Sequence, residues 1–170
     1  MLDNPLMYGL IAALAAALLV AAVTDLRSRR IANWLTGAIA LGAPVFWWAS
    51  DLPLWADPWL QNSVAMQLLV ALVTFAILAV LFAIRAMGGG DVKLLTALAL
   101  WIPPLLFGQL IVVMALLGGV LTIVLGAWHV MRRRRDKLAI PYGVAIAMAG
   151  LWALGSAYVP AHMFTAGALG

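Results

Sequence analysis

The chain has no cysteine, which excludes disulfides, thiolate metal sites and a cysteine nucleophile. It has no glutamate either, so its side-chain carboxylates are six aspartates: Asp3, Asp25, Asp51, Asp57, Asp91 and Asp136. Only 9% of the 170 residues are charged, against roughly 25% in an ordinary soluble domain. No internal repeat, low-complexity linker or soluble domain is visible. What fills the chain instead is apolar: 66% of residues are hydrophobic and the mean hydropathy is +1.10. This is the composition of a membrane protein, and residues 1–170 read as a single membrane-embedded domain.

Uncharged runs cover residues 6–23, 31–50, 64–84, 94–131 and 138–170, and one span needs about 20 residues. The run over 94–131 has 38 residues, about 57 Å as one helix against a hydrocarbon core of about 30 Å, so it must turn. Ile102-Pro103-Pro104, followed by Gly108-Gln109, supplies the break, because proline lacks an amide hydrogen and crowds the preceding turn. The expectation is an all-α integral membrane protein of six transmembrane helices, at roughly 6–24, 31–50, 64–84, 92–107, 110–131 and 138–158, the fourth short. The leading "MLDNP" carries an acid and no base, so the first run reads as a helix of the protein rather than a signal peptide. Residues from Val159 onward read as an emerging tail.

The net charge of +4 would suit nucleic acid, but its distribution argues against that partner. All ten basic residues fall in three loops: Arg27, Arg29 and Arg30; Arg85 and Lys93; Arg132 to Arg135 and Lys137. The alternate loops carry Asp51 and Asp57 or no charge. Basic loops stay in the cytoplasm, which puts both termini on the other side. The run "MRRRRDKL" reads as an anchor beside anionic lipids. His129 and His162 lie near opposite faces and cannot share an ion, so no metal site is expected. The tryptophans Trp34, Trp47, Trp48, Trp55, Trp59, Trp101, Trp128 and Trp152 read as interfacial anchors, and Gly118, Gly119 and Gly126 as points of close helix packing.

Of the aspartates, Asp3, Asp51 and Asp57 fall in outward segments and Asp136 closes an arginine run. Asp25 and Asp91 remain, one closing the first helix and one opening the fourth, at the same depth. Two carboxylates brought together cannot both ionise easily, so the pair shares a proton. One member can then draw a proton from an attacking water while the other donates to the developing oxyanion. Gly88, Gly89 and Gly90 would give the backbone unusual freedom there and let a substrate strand approach. The plain alternative for Asp91 is a helix N-cap, and for Asp25 a charge at the membrane boundary. Asp25 sits badly for its own helix dipole and needs compensation, from Arg27, Arg29 or Arg30 or from a functional role.

"TDLRSRRIANWLT" after the first helix, "GGGDVKLL" opening the fourth and "IPYGVAIAMAG" opening the sixth together resemble the prepilin peptidases, membrane aspartic proteases of the GxGD type. In particular the chain resembles the minimal form serving Flp (tight-adherence) pili, over nearly its whole length. Asp25, Ile31 and Asn33 match the family's first pattern, with Ala32 where it usually has proline. Gly88, Gly90, Asp91, Lys93 and Leu94 match the second, and Pro141, Tyr142 and Gly143 the third.

The resemblance implies that Asp25 and Asp91 are the catalytic pair, cutting a basic leader from a pilin-like precursor at the cytoplasmic face of the bacterial inner membrane. The precursor's hydrophobic helix would stay in the bilayer. Larger members carry a zinc-binding cytoplasmic insertion and methylate the new amino terminus; this chain lacks the insertion and its cysteines, so peptidase activity is expected without N-methyltransferase activity, metal or cofactor. Lys93 could hold Asp91 ionised or snorkel, Asn33 could orient Asp25 or cap the second helix, and Tyr142 could line the substrate groove. Pro141 also suits a first helical turn on structural grounds alone. Three other readings stand beside this one: a presenilin-like protease, a small proton-coupled transporter with the aspartates as relay, and a non-enzymatic pilus-assembly subunit. The first wants a tyrosine-aspartate pair where Thr24 precedes Asp25, and the second wants carboxylates nearer the midplane.

Overall fold

A computed structural model describes residues 4–56, 62–131 and 142–158. Six helices make up the described fold: α1 (Pro5–Ser28), α2 (Asn33–Ala49), α3 (Val64–Ala83), α4 (Gly89–Ala99), α5 (Pro104–Met131) and α6 (Tyr142–Tyr158). The expected start of the sixth helix at 138 lies outside the described residues, as do Asp3, Asp57, Trp59, Arg132 to Lys137, Pro141 and His162.

Local chemistry sets the boundaries. Asn4 caps α1, its side chain accepting from the Leu6 amide with Pro5 at the first position, and Ser63 caps α3 by accepting from Met66. α1 runs four residues beyond the expected 24 and closes at Arg29 in the left-handed region, φ 54, whose N–H returns to the Asp25 carbonyl. The expected break after residue 107 falls earlier: α4 ends at Ala99 and α5 begins at Pro104. Proline is at home in a first helical turn, where its missing N–H would have no partner, so Pro104 starts the next helix instead of ending inside the previous one.

α1, α3 and α5 are each long and apolar enough to cross a membrane. α2 and α6 have 17 residues each, and α4, with 11, measures about 16 Å and cannot cross alone. α4 packs against α2, α3 and α6, and buries Val92, Leu94, Leu95, Ala97, Leu98 and Ala99. Around it Leu14, Leu18, Phe46 and Ile146 complete the core.

The helices run alternately between two ends, so that α2, α4 and α6 start at the same one. One end is tied by polar side chains. Asn4 donates to the Ala49 carbonyl at 2.8 Å, joining the start of α1 to the end of α2. The Trp47 indole N–H is shared between Gln67 Oε1 at 2.6 Å and the Leu100 carbonyl at 2.8 Å. Trp101 donates to Ile39 and Tyr158 to Trp101, each at 2.8 Å, while the Phe46 and Trp101 rings stack at 4.9 Å. Trp47 and Trp101 therefore correct the anchor reading: Trp101 is only 3% exposed, and both indoles find their partners inside. Trp34, Trp48, Trp55, Trp128 and Trp152 are exposed. Gly42 makes room for Trp101, because a Cβ there would stand 2.8 Å from its ring.

Candidate active site

The opposite end gathers Asp25, Arg27, Arg29, Arg30, Arg85, Asp91 and Lys93, the charges of the α1–α2 and α3–α4 turns and of the start of α4. Asp25 lies in the last turn of α1 and is 6% exposed. Its Oδ2 accepts from the Gly143 amide at 2.8 Å, the Val144 amide also faces it, and the Arg29 charge stands near. Gly143 and Val144 belong to the first turn of α6, whose N–H groups have no partner within that helix and favour an anion. That settles the dipole difficulty: Asp25 opposes the dipole of α1 and is compensated by the N-terminus of α6.

The contact needs glycine. A Cβ on residue 143 would stand 2.8 Å from Asp25 Oδ2, 2.9 Å from Cγ and 3.0 Å from Cβ. Only a hydrogen fits there.

Asp91 occupies the third position of α4, not its N-cap, which is Gly88. Its carboxylate turns back to the Gly88 amide, the arrangement of a capping box with aspartate as its acid. Burial and then the charge of Asp25 push the Asp91 carboxyl up to about 6, against the opposing pull of the Gly88 N–H. Asp91 lies outside the three long spans.

The glycines act differently from the expected backbone freedom, since no described glycine has positive φ and Gly88 sits at φ −74, ψ 141. They act by lacking a side chain. A Cβ on Gly88 would meet Asp91 Oδ2 at 3.0 Å, one on Gly89 the Phe82 ring at 3.2 Å, and one on Gly90 the Ile31 Cβ at 3.2 Å. The Gly90 contact seats α4 against the turn after Asp25, where Ile31 is buried. Ala32, in place of the family's proline, holds φ −65, the angle a proline ring imposes, so the turn keeps its geometry.

Asn33 neither caps α2, whose N-cap is Ala32 without a side-chain bond, nor bonds Asp25; its Oδ1 accepts from Lys93 Nζ at 2.9 Å. Lys93 is exposed and joins the starts of α2 and α4. Tyr142 packs its ring against Gly118 of α5, at 3.2 Å from a built Cβ, while Gly119 has open space. Tyr142 also lines an open cavity of about 610 Å³ with Phe82, Ala83, Arg85, Ala86, Met87 and Gly88. Pro141 lies outside the described residues.

Sequence reasoning missed Phe82, Met87 and the wall-forming part of Arg85, which adopts φ 61 in the turn after α3. A basic residue at positive φ next to three glycines leaves no mark in the sequence, and Phe82 looks like any apolar residue of a span.

No curated protein and no solved structure matches the chain. The sequence profile of the type IV leader peptidase family does, over residues 12–129, a stretch holding Asp25, Asn33, the three glycines, Asp91 and Lys93. That match covers well over half of the 170 residues, and the chain belongs to the type IV leader peptidase family.

Proposed function

We propose that the chain is a membrane aspartic endopeptidase that removes the basic leader from type IV pilin-like precursors of the Flp type, without N-methyltransferase activity. Its site faces the cytoplasm from the bacterial inner membrane, with six helices packed in the bilayer and both termini on the far side. The observation that carries the reading is that the last turn of α1 and the first turn of α4 bring Asp25 and Asp91 to the same, basic end of the helices. Basic segments remain cytoplasmic, and every described arginine and lysine lies at that end.

The roles follow from surroundings. Asp25, whose Oδ2 accepts from the Gly143 amide, is the base; Asp91, whose carboxyl takes up a proton below about pH 6, is the acid and reacts from its protonated form. Asp25 takes a proton from water as its oxygen attacks the peptide carbonyl, and Asp91 gives its proton to the oxyanion. On collapse the C–N bond breaks, the leaving nitrogen takes the proton held by Asp25, and one hydroxyl of the tetrahedral carbon returns a proton to Asp91. The pair ends as it began. The cavity beside Gly88, walled by Phe82, Met87 and Tyr142, gives the apolar part of a precursor a place next to the dyad.

Co-expression of a Flp-type prepilin with single variants tests this on a gel. Asp25→Asn and Asp91→Asn each leave the precursor full length while the protein still inserts; Asp51→Asn and Asp57→Asn process it normally. Processing that survives either of the first two changes removes the dyad from the mechanism.

A further inference from the structure

A second groove, sharing no lining residue with the cavity at Gly88 and Tyr142, begins at Asn33 and Lys93. It lies between α2 and α4, with Phe75 of α3 as its third side, and encloses about 340 Å³. α2 and α4 start at the same end, so Asn33 stands level with Lys93 at one mouth and Ala40 level with Leu100 at the other. Seven residues of helix separate the two levels, about 10 Å.

The two mouths differ chemically. At the first, the Lys93 ammonium gives one of its three donors to Asn33, and no carboxylate pairs with it among the described residues. Arg29 and Arg30, both exposed, lie in the turn just before Asn33. Below that mouth the lining becomes apolar: Gly37, Ala40, Ala97 and Phe75. Thr36 and Thr96 also line it, but their hydroxyls are already bonded to the Asn33 and Val92 carbonyls of their own helices. Phe75, which lines the groove, is half exposed, as are Leu41 and Leu72 on the same helices α2 and α3. A cationic head over an apolar shaft fits a ligand with an anionic head and a hydrocarbon tail.

We propose that this groove holds one anionic phospholipid, its phosphate on Lys93 and the upper part of one acyl chain along Gly37, Ala40 and Ala97. A transmembrane helix is about 10 Å across with its side chains and cannot enter a groove of this volume, whereas an acyl chain can. A free phosphate would leave the shaft unfilled. The bound lipid bridges α2, α3 and α4, and α4 carries Asp91.

Native mass spectrometry of the purified full chain, with phosphatidylglycerol or phosphatidylcholine of identical acyl chains, tests the site without reference to peptidase activity. The wild type retains one phosphatidylglycerol about fivefold more than phosphatidylcholine, the worth of one basic group against an anionic headgroup. Lys93→Gln removes that preference, while Arg27→Gln, on the same face but outside the groove, keeps it. Gly37→Leu loses both lipids, because a Cβ at Gly37 meets nothing within 4 Å and the leucine fills the shaft instead of displacing protein. Equal retention of the two lipids, a preference that survives Lys93→Gln, or the same loss with Arg27→Gln overturns the proposal. So does one-for-one displacement of the lipid by a peptide carrying a precursor's apolar helix, which would give the groove to substrate.

Discussion

A methyl group on residue 143 would press within 3.0 Å of three atoms of the Asp25 side chain, so the position of one carboxylate depends on a hydrogen 118 residues away. Gly143→Ala should therefore lower cleavage at least about a hundredfold, the scale expected when a catalytic group is misplaced by about an ångström. Gly119→Ala, in open space on α5, should leave the rate unchanged in the same assay. Asp91 gives a test of the opposite kind, in stability. Its folded pKa of about 6 lies above the ordinary 3.8, so the folded state holds its proton more tightly than the unfolded state does. Any advantage is present below about pH 4 and is lost as pH rises through 6, leaving an ionised, partly buried carboxylate as a cost at neutral pH. Asp91→Asn should thus stabilise the protein in detergent more at pH 8 than at pH 5, by at most about 2–3 kcal/mol, while abolishing activity. The same midpoint gain at both pH values would refute the assignment. At this scale the sequence singled out Asp25 and Asp91, because charges are so scarce, but not what surrounds them. The N-cap alternative for Asp91 fails, since Asp91 lies three residues after the N-cap Gly88, and Asn33 faces Lys93.

Among the elements, apolar runs and prolines foretold six helices in the right order, since a long uncharged run leaves few alternatives. Boundaries were less legible where one residue type serves two purposes. Pro103-Pro104 was read as a breaker ahead of a turn near Gly108, yet Pro104 opens α5 and the link from Ala99 is only four residues. Trp47 and Trp101 carry the composition of belt residues, and only the packing of α2, α3 and α4 decides that their N–H groups are met inside. In the α1–α2 turn, Ala32 stands where the resemblance puts a proline. Ala32 already has φ −65, and its N–H donates no backbone hydrogen bond among the described residues, so Ala32→Pro should stabilise the protein by about 0.4–1 kcal/mol through the unfolded state. Thermal unfolding in detergent reads this directly, and a destabilised variant would mean that the turn departs from proline geometry.

On the scale of the whole molecule, the bundle is asymmetric: hydrogen-bonded tryptophans, Gln67 and Tyr158 lock one end, and aspartates, arginines and close-packed glycines form the other. The basic loops made that polarity readable in advance, because charge distribution along a hydrophobic chain is a topological signal. The cavity at Phe82, Met87 and Tyr142 was not readable, since it exists only where the end of α3 meets the start of α6. What unites the two ends is a claim about chemistry, that α1 and α4 hold two aspartates which together cut a peptide bond. The most direct test places purified wild type, Asp25→Asn and Asp91→Asn in liposomes with a synthetic Flp-type precursor and reads the products by mass spectrometry. The account predicts one cut between the basic leader and the apolar helix for the wild type, and intact precursor for both variants. An intact precursor with the wild type, or the same cut made by either variant, would contradict it.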